Sequence, residues 1–122
     1  MENKNIIAAA SYYNKKYYFD PNCVDIPGGV KKELEALCKT GAEMVQGIFD
    51  ISYNDIGEIG FKVSGEEEDH NFDEIGARII IDKLVKENEE LIKSLQLWHA
   101  LYKTEKGQKI REQLTANNIS GI

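Results

Sequence analysis

Four residues carry the side chains most able to do covalent chemistry: Cys23, Cys38, His70 and His99. A cysteine beside a histidine can act as a nucleophile, because the imidazole stabilises the thiolate. Cys38 falls on the apolar face of a predicted helix, where a cysteine packs as a small hydrophobic residue. Cys23 has no basic residue near it in the sequence. A small enzyme that uses a cysteine and a histidine is therefore an alternative only, and we assign no catalytic residue.

The acidic segment, residues 66–74, is the second candidate for chemistry, since it holds six acidic residues and no lysine or arginine. It lacks the alternating ligands and central glycine of a calcium loop, and its single histidine does not make a zinc site. We therefore predict no metal and no cofactor. The ordinary interpretation is a solvated connection, and the functional alternative is a docking site for a basic peptide at Glu66, Glu67, Glu68 and Asp69.

The composition is that of one folded domain: 122 residues, of which 42% are hydrophobic and 30% charged. The longest purely apolar run, residues 6–10, is far too short to span a membrane. The first residues lack the basic start and apolar stretch of a secretory signal. Two cysteines are too few for a disulfide scaffold. We expect a cytoplasmic protein with no membrane partner.

The charge distribution argues against a nucleic-acid partner. Fifteen basic and twenty-one acidic residues give a net charge of -6, and the acidic segment accounts for all of it. Proteins that bind nucleic acid usually carry a basic field instead. Aromatic residues alternate with lysines between Tyr12 and Phe19, as in some single-strand binders, but aromatic residues are also common in strands. We predict no nucleic acid.

Hydrophobic periodicity predicts two β-hairpins separated by a helix. The predicted strands are Asn5–Tyr13, Lys16–Phe19, Ile48–Tyr53 and Ile59–Ser64, and the helix runs from Pro27 to about Val45. With one further helix, this order predicts a two-layer α+β domain in the order ββαββα. It consists of a four-stranded antiparallel sheet made from the two hairpins, with the helices on one face.

The strongest pattern predicts one long C-terminal amphipathic helix from about Asp73 to about Lys103. Its seam advances in alternating steps of four and three residues through Ala77, Ile81, Leu84, Asn88, Leu91, Leu95, Trp98 and Tyr102. A helix of this length, roughly 45 Å, must overhang a domain of about 14 Å radius of gyration, or bend.

We expect the C-terminal half of this seam to extend beyond the sheet and to form a homodimer interface. The expected interface residues are Asn88, Leu91, Leu95, Trp98 and Tyr102. A lone polar residue on such a seam can fix the register and number of partners, which is the role expected for Asn88. Folding of this half onto the first helix, and docking of a different protein, are the alternatives.

The predicted domain organisation is a single α+β domain over residues 1–103, followed by a basic tail over residues 104–122. The tail is expected to contain at most a short extra helix, Glu105–Leu114, with the last eight residues frayed.

Three short strings carry a resemblance to a known family: Lys15–Phe19, the stretch from Ile26-Pro27 to Leu34, and Phe72–Gly76. Over roughly residues 1–103 the chain resembles a family of small uncharacterised bacterial proteins found in Gram-positive anaerobes. Gly28-Gly29 departs from the family pattern. The resemblance implies a bacterial cytoplasmic setting, and it implies no activity.

The leading hypothesis is a non-enzymatic cytoplasmic interaction module that forms a homodimer through its long helix, with a protein or peptide partner at the acidic segment. A chaperone-like or immunity-like protein that masks another polypeptide is the second hypothesis. The small enzyme is the third.

Overall fold

The structure, a computed structural model, describes residues 5–120, with side chains described through residue 115. The strands are β1 (Asn5–Ser11), β2 (Lys16–Phe19), β3 (Ile48–Tyr53) and β4 (Ile59–Ser64). The helices are α1 (Gly28–Val45), α2 (Glu74–Glu87), α3 (Glu89–Tyr102) and α4 (Glu105–Ser120), and a short 3₁₀ turn spans Pro21–Cys23. The chain is therefore an α+β protein, as its periodicity predicts.

The four strands form one antiparallel sheet in the order β2-β1-β3-β4. The two hairpins join through β1 and β3, where Ala8 lies opposite Ile51 and Ala10 lies opposite Phe49. Alternation along a strand sends these four side chains to the same face, where all four are buried. The opposite face carries more polar side chains, including Lys16 and Lys62, which are exposed.

Helix α1 crosses the centre of the sheet at close range. Its buried face includes Leu34, Cys38 and Gly41. A Cβ atom added to Gly41 would lie 2.7 Å from Cδ2 of Phe49, a ring that has no exposed surface. Only a glycine therefore lets α1 approach the sheet this closely at this point.

The predicted long helix is interrupted at Asn88, which ends α2 and begins α3. The backbone of Asn88 is not helical, with φ -123° and ψ 31°. Its side-chain Nδ2 donates a hydrogen bond to the carbonyl oxygen of Leu84 at 2.8 Å, and its own carbonyl accepts from the N–H of Ile92 at 3.0 Å. An asparagine side chain that bonds to a nearby carbonyl competes with the helical pattern, so the chain changes direction here.

The predictions of one helix over residues 73–103 and of the order ββαββα are therefore wrong. The order is ββαββααα, because Asn88 divides the long helix and α4 adds another. The alternating four and three spacing persists across the break, so both halves keep an apolar face towards the core. Ala77 and Leu84 of α2, and Leu91 and Leu95 of α3, are all buried.

Helix α4 is fixed to the end of α3 at a corner. Thr104 Oγ1 accepts a hydrogen bond from the N–H of Gly107 at 3.0 Å, and a Cβ atom on Gly107 would collide with the backbone of Ala100 and Leu101. Helix α4 runs to Ser120, beyond the expected Leu114. The fraying expected over the last eight residues includes positions 121 and 122, which lie outside the described residues.

Replacement of Trp98 by alanine should destabilise the fold of the chain itself rather than only weaken an interface. Trp98 is 3% exposed and belongs to the hydrophobic core. Its ring lies edge-on to Tyr53, with 5.4 Å between centroids. We expect Trp98→Ala to lower the free energy of unfolding by about 3–5 kcal/mol, measured by urea denaturation.

The neighbouring Leu97→Ala is the matched control, because Leu97 is exposed on the same helix. It should change the free energy of unfolding by less than about 1 kcal/mol. Native stability in Trp98→Ala would contradict the assignment of Trp98 to the core.

Candidate interaction site

The structure places the five expected interface residues in different environments. Leu91, Leu95 and Trp98 are 5%, 0% and 3% exposed, so they belong to the core of the chain itself. The expectation that these three side chains extend beyond the sheet is wrong, because the break at Asn88 turns α3 onto the β3–β4 hairpin. Asn88 is half-buried, and Tyr102 stays exposed at the end of α3.

The break at Asn88 leaves a groove between α1 and the α2–α3 junction, which we call the junction groove. Its volume is ≈ 630 Å³. The apolar lining comes from Ala36, Leu37, Leu84 and Leu91. On α1, Ala36 and Thr40 are small residues one turn apart, which leaves room for a helix to approach.

The rim of the junction groove is acidic. The charged residues that line it are Glu33, Lys86, Glu87, Glu89 and Glu90. All five are exposed. Glu90 lies 3.8 Å from Lys93, a contact between exposed neighbours on one helix that contributes little. The groove therefore combines an apolar floor with a net negative rim.

Helix α4 presents the opposite combination. Ile110 and Leu114, one turn apart, are 38% and 55% exposed. Lys106 and Lys109 are exposed beside them. Among its described side chains, from residue 105 to 115, none is buried, since the buried Gly107 has no side chain.

Arg111 ties α4 to the end of α3. Its Nε donates a hydrogen bond to the carbonyl oxygen of Leu101 at 2.6 Å, and its guanidinium lies 4.5 Å from the centroid of the Tyr102 ring. This bond satisfies one of the carbonyls that a helix end leaves without an internal partner. Tyr102, an expected interface residue, is thus part of the corner from which α4 extends.

The acidic segment borders a second cleft. Tyr13 donates a hydrogen bond from its hydroxyl to Oδ2 of Asp69 at 2.6 Å, and this bond raises the pKa of Tyr13. The cleft beside it has a volume of ≈ 480 Å³, and its lining includes Tyr12, Phe72 and Asp73. The expected docking residues Glu66, Glu67 and Glu68 are exposed, and of the four only Asp69 lines this cleft.

The two thiols are poor nucleophiles. Both cysteines are free and buried. Burial is the main cause that raises the pKa of Cys23 to about 11 and that of Cys38 to about 12. The Sγ of Cys23 also lies 3.7 Å from a carboxylate oxygen of Asp20, which favours the neutral thiol. Both thiols therefore stay protonated near neutral pH, so the enzyme hypothesis lacks an activated nucleophile.

His99 has a structural environment. It is buried, 5.3 Å from Tyr53 between ring centroids. The β3–β4 turn covers it at Gly57, whose φ is 86°, and a Cβ atom there would lie 2.6 Å from Nδ1 of His99. Burial lowers the pKa of His99 below 6.5, the charge of Lys103 lowers it further, and Asp55 opposes both.

Sequence reasoning named Asp69 as a docking residue, but it missed the cleft that Asp69 lines and the exposed apolar pair on α4. Tyr13 and Asp69 are 56 residues apart, so no local pattern pairs them. The apolar pair Ile110 and Leu114 is visible in the sequence as an i, i+4 spacing, but its exposure is not.

Within the described residues, no group of three or more potential ligands could hold a metal ion, and no helix has the length and apolar character to cross a membrane.

Comparison with known proteins identifies the family. The model of a family of unknown function, DUF6145, matches residues 4–107. The chain belongs to this family. Neither the search of the curated proteins nor the search of the solved structures found a match. The DUF6145 match covers the sheet, α1, α2, α3 and the corner at Gly107, and the family description gives no activity.

The thiol environments predict a simple reactivity test. With pKa values of about 11 and about 12, Cys23 and Cys38 should not react with a thiol-specific disulfide reagent in the native protein at pH 7. Both should react at once in urea, where they become exposed and regain ordinary pKa values. Rapid reaction of either thiol in the folded protein would contradict its burial and revive the enzyme hypothesis.

His99 predicts the pH dependence of stability. Its folded-state pKa is lower than the unfolded value of 6.5, so the unfolded chain binds the proton more tightly. Its contribution to stability is complete above pH 6.5 and is lost as the pH falls through and below that value. Urea denaturation at pH 7.5 and pH 5.5 measures this loss.

His99→Gln should show a smaller loss of stability than the wild type between these two pH values. The control is His70→Gln, because His70 is exposed and should leave the pH dependence unchanged. Equal pH dependence in all three proteins would contradict the role of His99.

Proposed function

We propose that the chain is a non-enzymatic protein-interaction module that self-associates through α4. The observation that carries this proposal is the apolar pair Ile110 and Leu114, exposed on a helix whose main packing is on the end of α3. A helix of 16 residues gains most of its stability in proteins from packing of an apolar face. The described part of α4 has such a face without a cover.

The α2 helix provides a useful contrast. It also exposes an apolar pair, Ile75 and Ile79. Its other face is already fixed in the core by Ala77 and Leu84, so α2 has tertiary support without a partner. The two exposed pairs are therefore not equivalent, and the pair on α4 is the better candidate for an interface.

This proposal moves the interface from its expected position. Leu95 and Trp98 are buried, so they are not part of the proposed interface. Tyr102 is part of it, because its ring contacts Arg111 of α4. Asn88 remains a candidate because it is half-buried and lines the junction groove. Leu91 also lines the groove, but it is only 5% exposed, so it does not carry the contact.

A polypeptide partner at the acidic segment is a second candidate, and it would correspond to the chaperone-like hypothesis. The observation that favours it is the ≈ 480 Å³ cleft. The rings of Tyr12 and Phe72 and the carboxylate of Asp69 line this cleft. A segment with a basic and an apolar side chain matches that lining.

We also propose a cytoplasmic location in a bacterium. Both cysteines are free, which suits a reducing compartment. The bacterial part of this proposal is supported by the resemblance described above.

Light scattering on a sizing column, over a dilution series, tests the self-association. We expect a mass near twice 13.8 kDa for the wild type. In the double variant Ile110→Ser with Leu114→Ser, loss of the apolar anchors should raise the dissociation constant by at least about tenfold.

The matched control is Ile75→Ser with Ile79→Ser, which removes the exposed pair of α2 at the same spacing. Its dissociation constant should equal that of the wild type. A mass of 13.8 kDa for the wild type at every concentration would contradict self-association and leave the acidic segment as the candidate surface.

A further inference from the structure

We infer that α4 of one copy, which we call the arm, binds in the junction groove of a second copy. In the dimer, the arm of each copy then lies in the groove of the other. This inference rests on the self-association proposed above and names the surface that receives α4. It is the helix-in-groove mode of recognition, in which apolar residues one turn apart enter an apolar groove.

The apolar surfaces of the arm and the groove match. Ile110 and Leu114 are one turn apart on α4 and are exposed. The groove has a volume of ≈ 630 Å³, and it offers the exposed methyl group of Ala36 together with the small exposed parts of Leu37 and Leu91. Ala36 is exposed in the single chain, so a side chain of a second copy can contact it.

The charges of the arm and the groove also match. The groove rim contributes four glutamates against Lys86 alone. Next to its apolar pair, α4 carries Lys106 and Lys109. Complementary charges of this kind steer association and select the partner surface.

The geometry favours a second copy over the same chain. The groove lies at the start of α3, near Leu91, whereas α4 is fixed at its end by Gly107 and Arg111. With this corner in place, Ile110 and Leu114 are exposed and none of the described residues that line the groove comes from α4. An arm that reached the groove of its own chain would therefore have to change the orientation that the corner gives it. An arm that enters a second copy keeps that corner intact.

Reciprocal exchange gives a closed dimer. Each copy contributes one arm and one groove, so a two-fold axis pairs arm with groove twice. The same surfaces are then used by both copies, and no unpaired arm remains to extend the assembly.

Charge reversal in mixed variants tests this arrangement. The arm variant is Lys106→Glu with Lys109→Glu, and the groove variant is Glu89→Lys with Glu90→Lys. Each variant alone places like charges together at both contacts of its dimer. We expect the dissociation constant of each to rise by at least about tenfold, measured by light scattering.

An equimolar mixture of the two variants should recover the dimer. In the mixed dimer, the acidic arm of one copy meets the basic groove of the other, and the basic arm meets the acidic groove. Its dissociation constant should return to within about threefold of the wild-type value. Docking within one chain cannot produce this recovery, because mixing brings no new groove to either arm.

The control variant, Lys16→Glu with Lys83→Glu, has the same net charge as the arm variant and alters exposed residues outside both surfaces. It should dimerise like the wild type. Circular dichroism of every variant verifies that each one folds.

The outcomes separate this inference from the proposed function. If the wild type is a dimer and the mixture stays monomeric, or if neither charge variant alters the dimer, the groove assignment is wrong and self-association stands. A monomeric wild type would overturn both.

Discussion

The hydrogen bond from the Asn88 side chain to the Leu84 carbonyl is the interaction on which the rest of the helical layer depends. This bond forms where α2 ends, and it gives the carbonyl oxygen of Leu84 a hydrogen-bond donor within the chain. Without this change of direction, residues 73–103 would form a rod too long for the sheet beneath it. With it, α3 packs against the β3–β4 hairpin, and Leu95 and Trp98 complete the core.

The same break determines where the surfaces of the molecule lie. Helix α2 contacts α1 more extensively than α3 does, and the junction groove lies between α1 and the residues where α2 ends and α3 begins. The end of α3, and therefore the start of α4, is also set by the direction that α3 takes at Asn88. One asparagine thus positions both the groove and the arm that we propose to bind it in a second copy.

The sequence was sufficient to predict the elements that depend on local periodicity. The bounds of β2, β3 and β4 agree with the prediction, because alternating strands between clear turns leave little ambiguity. The division of the long helix was not predictable in the same way. A seam with steps of three and four residues is compatible with one straight helix, and it is equally compatible with two helices joined at a bend. The side chain of Asn88 was visible as an exception on the seam, but a polar seam residue is also typical of a coiled coil.

The candidate surfaces depend on tertiary placement, which is why sequence reasoning included the buried residues Leu91, Leu95 and Trp98 in the expected interface. An apolar side chain on a seam can be covered by its own sheet or by a partner, and only the direction of α3 decides between them.

The contributions of the two exposed apolar pairs to binding depend on the residues around them. Ile75 and Ile79 are more exposed than Ile110 and Leu114, so exposed apolar area alone would favour α2 as the interface. Exposed charge pairs contribute little to affinity individually, but they discriminate between competing apolar surfaces. The apolar pair of α4 would therefore supply most of the affinity, and its two lysines would direct that affinity to the acidic rim of the junction groove.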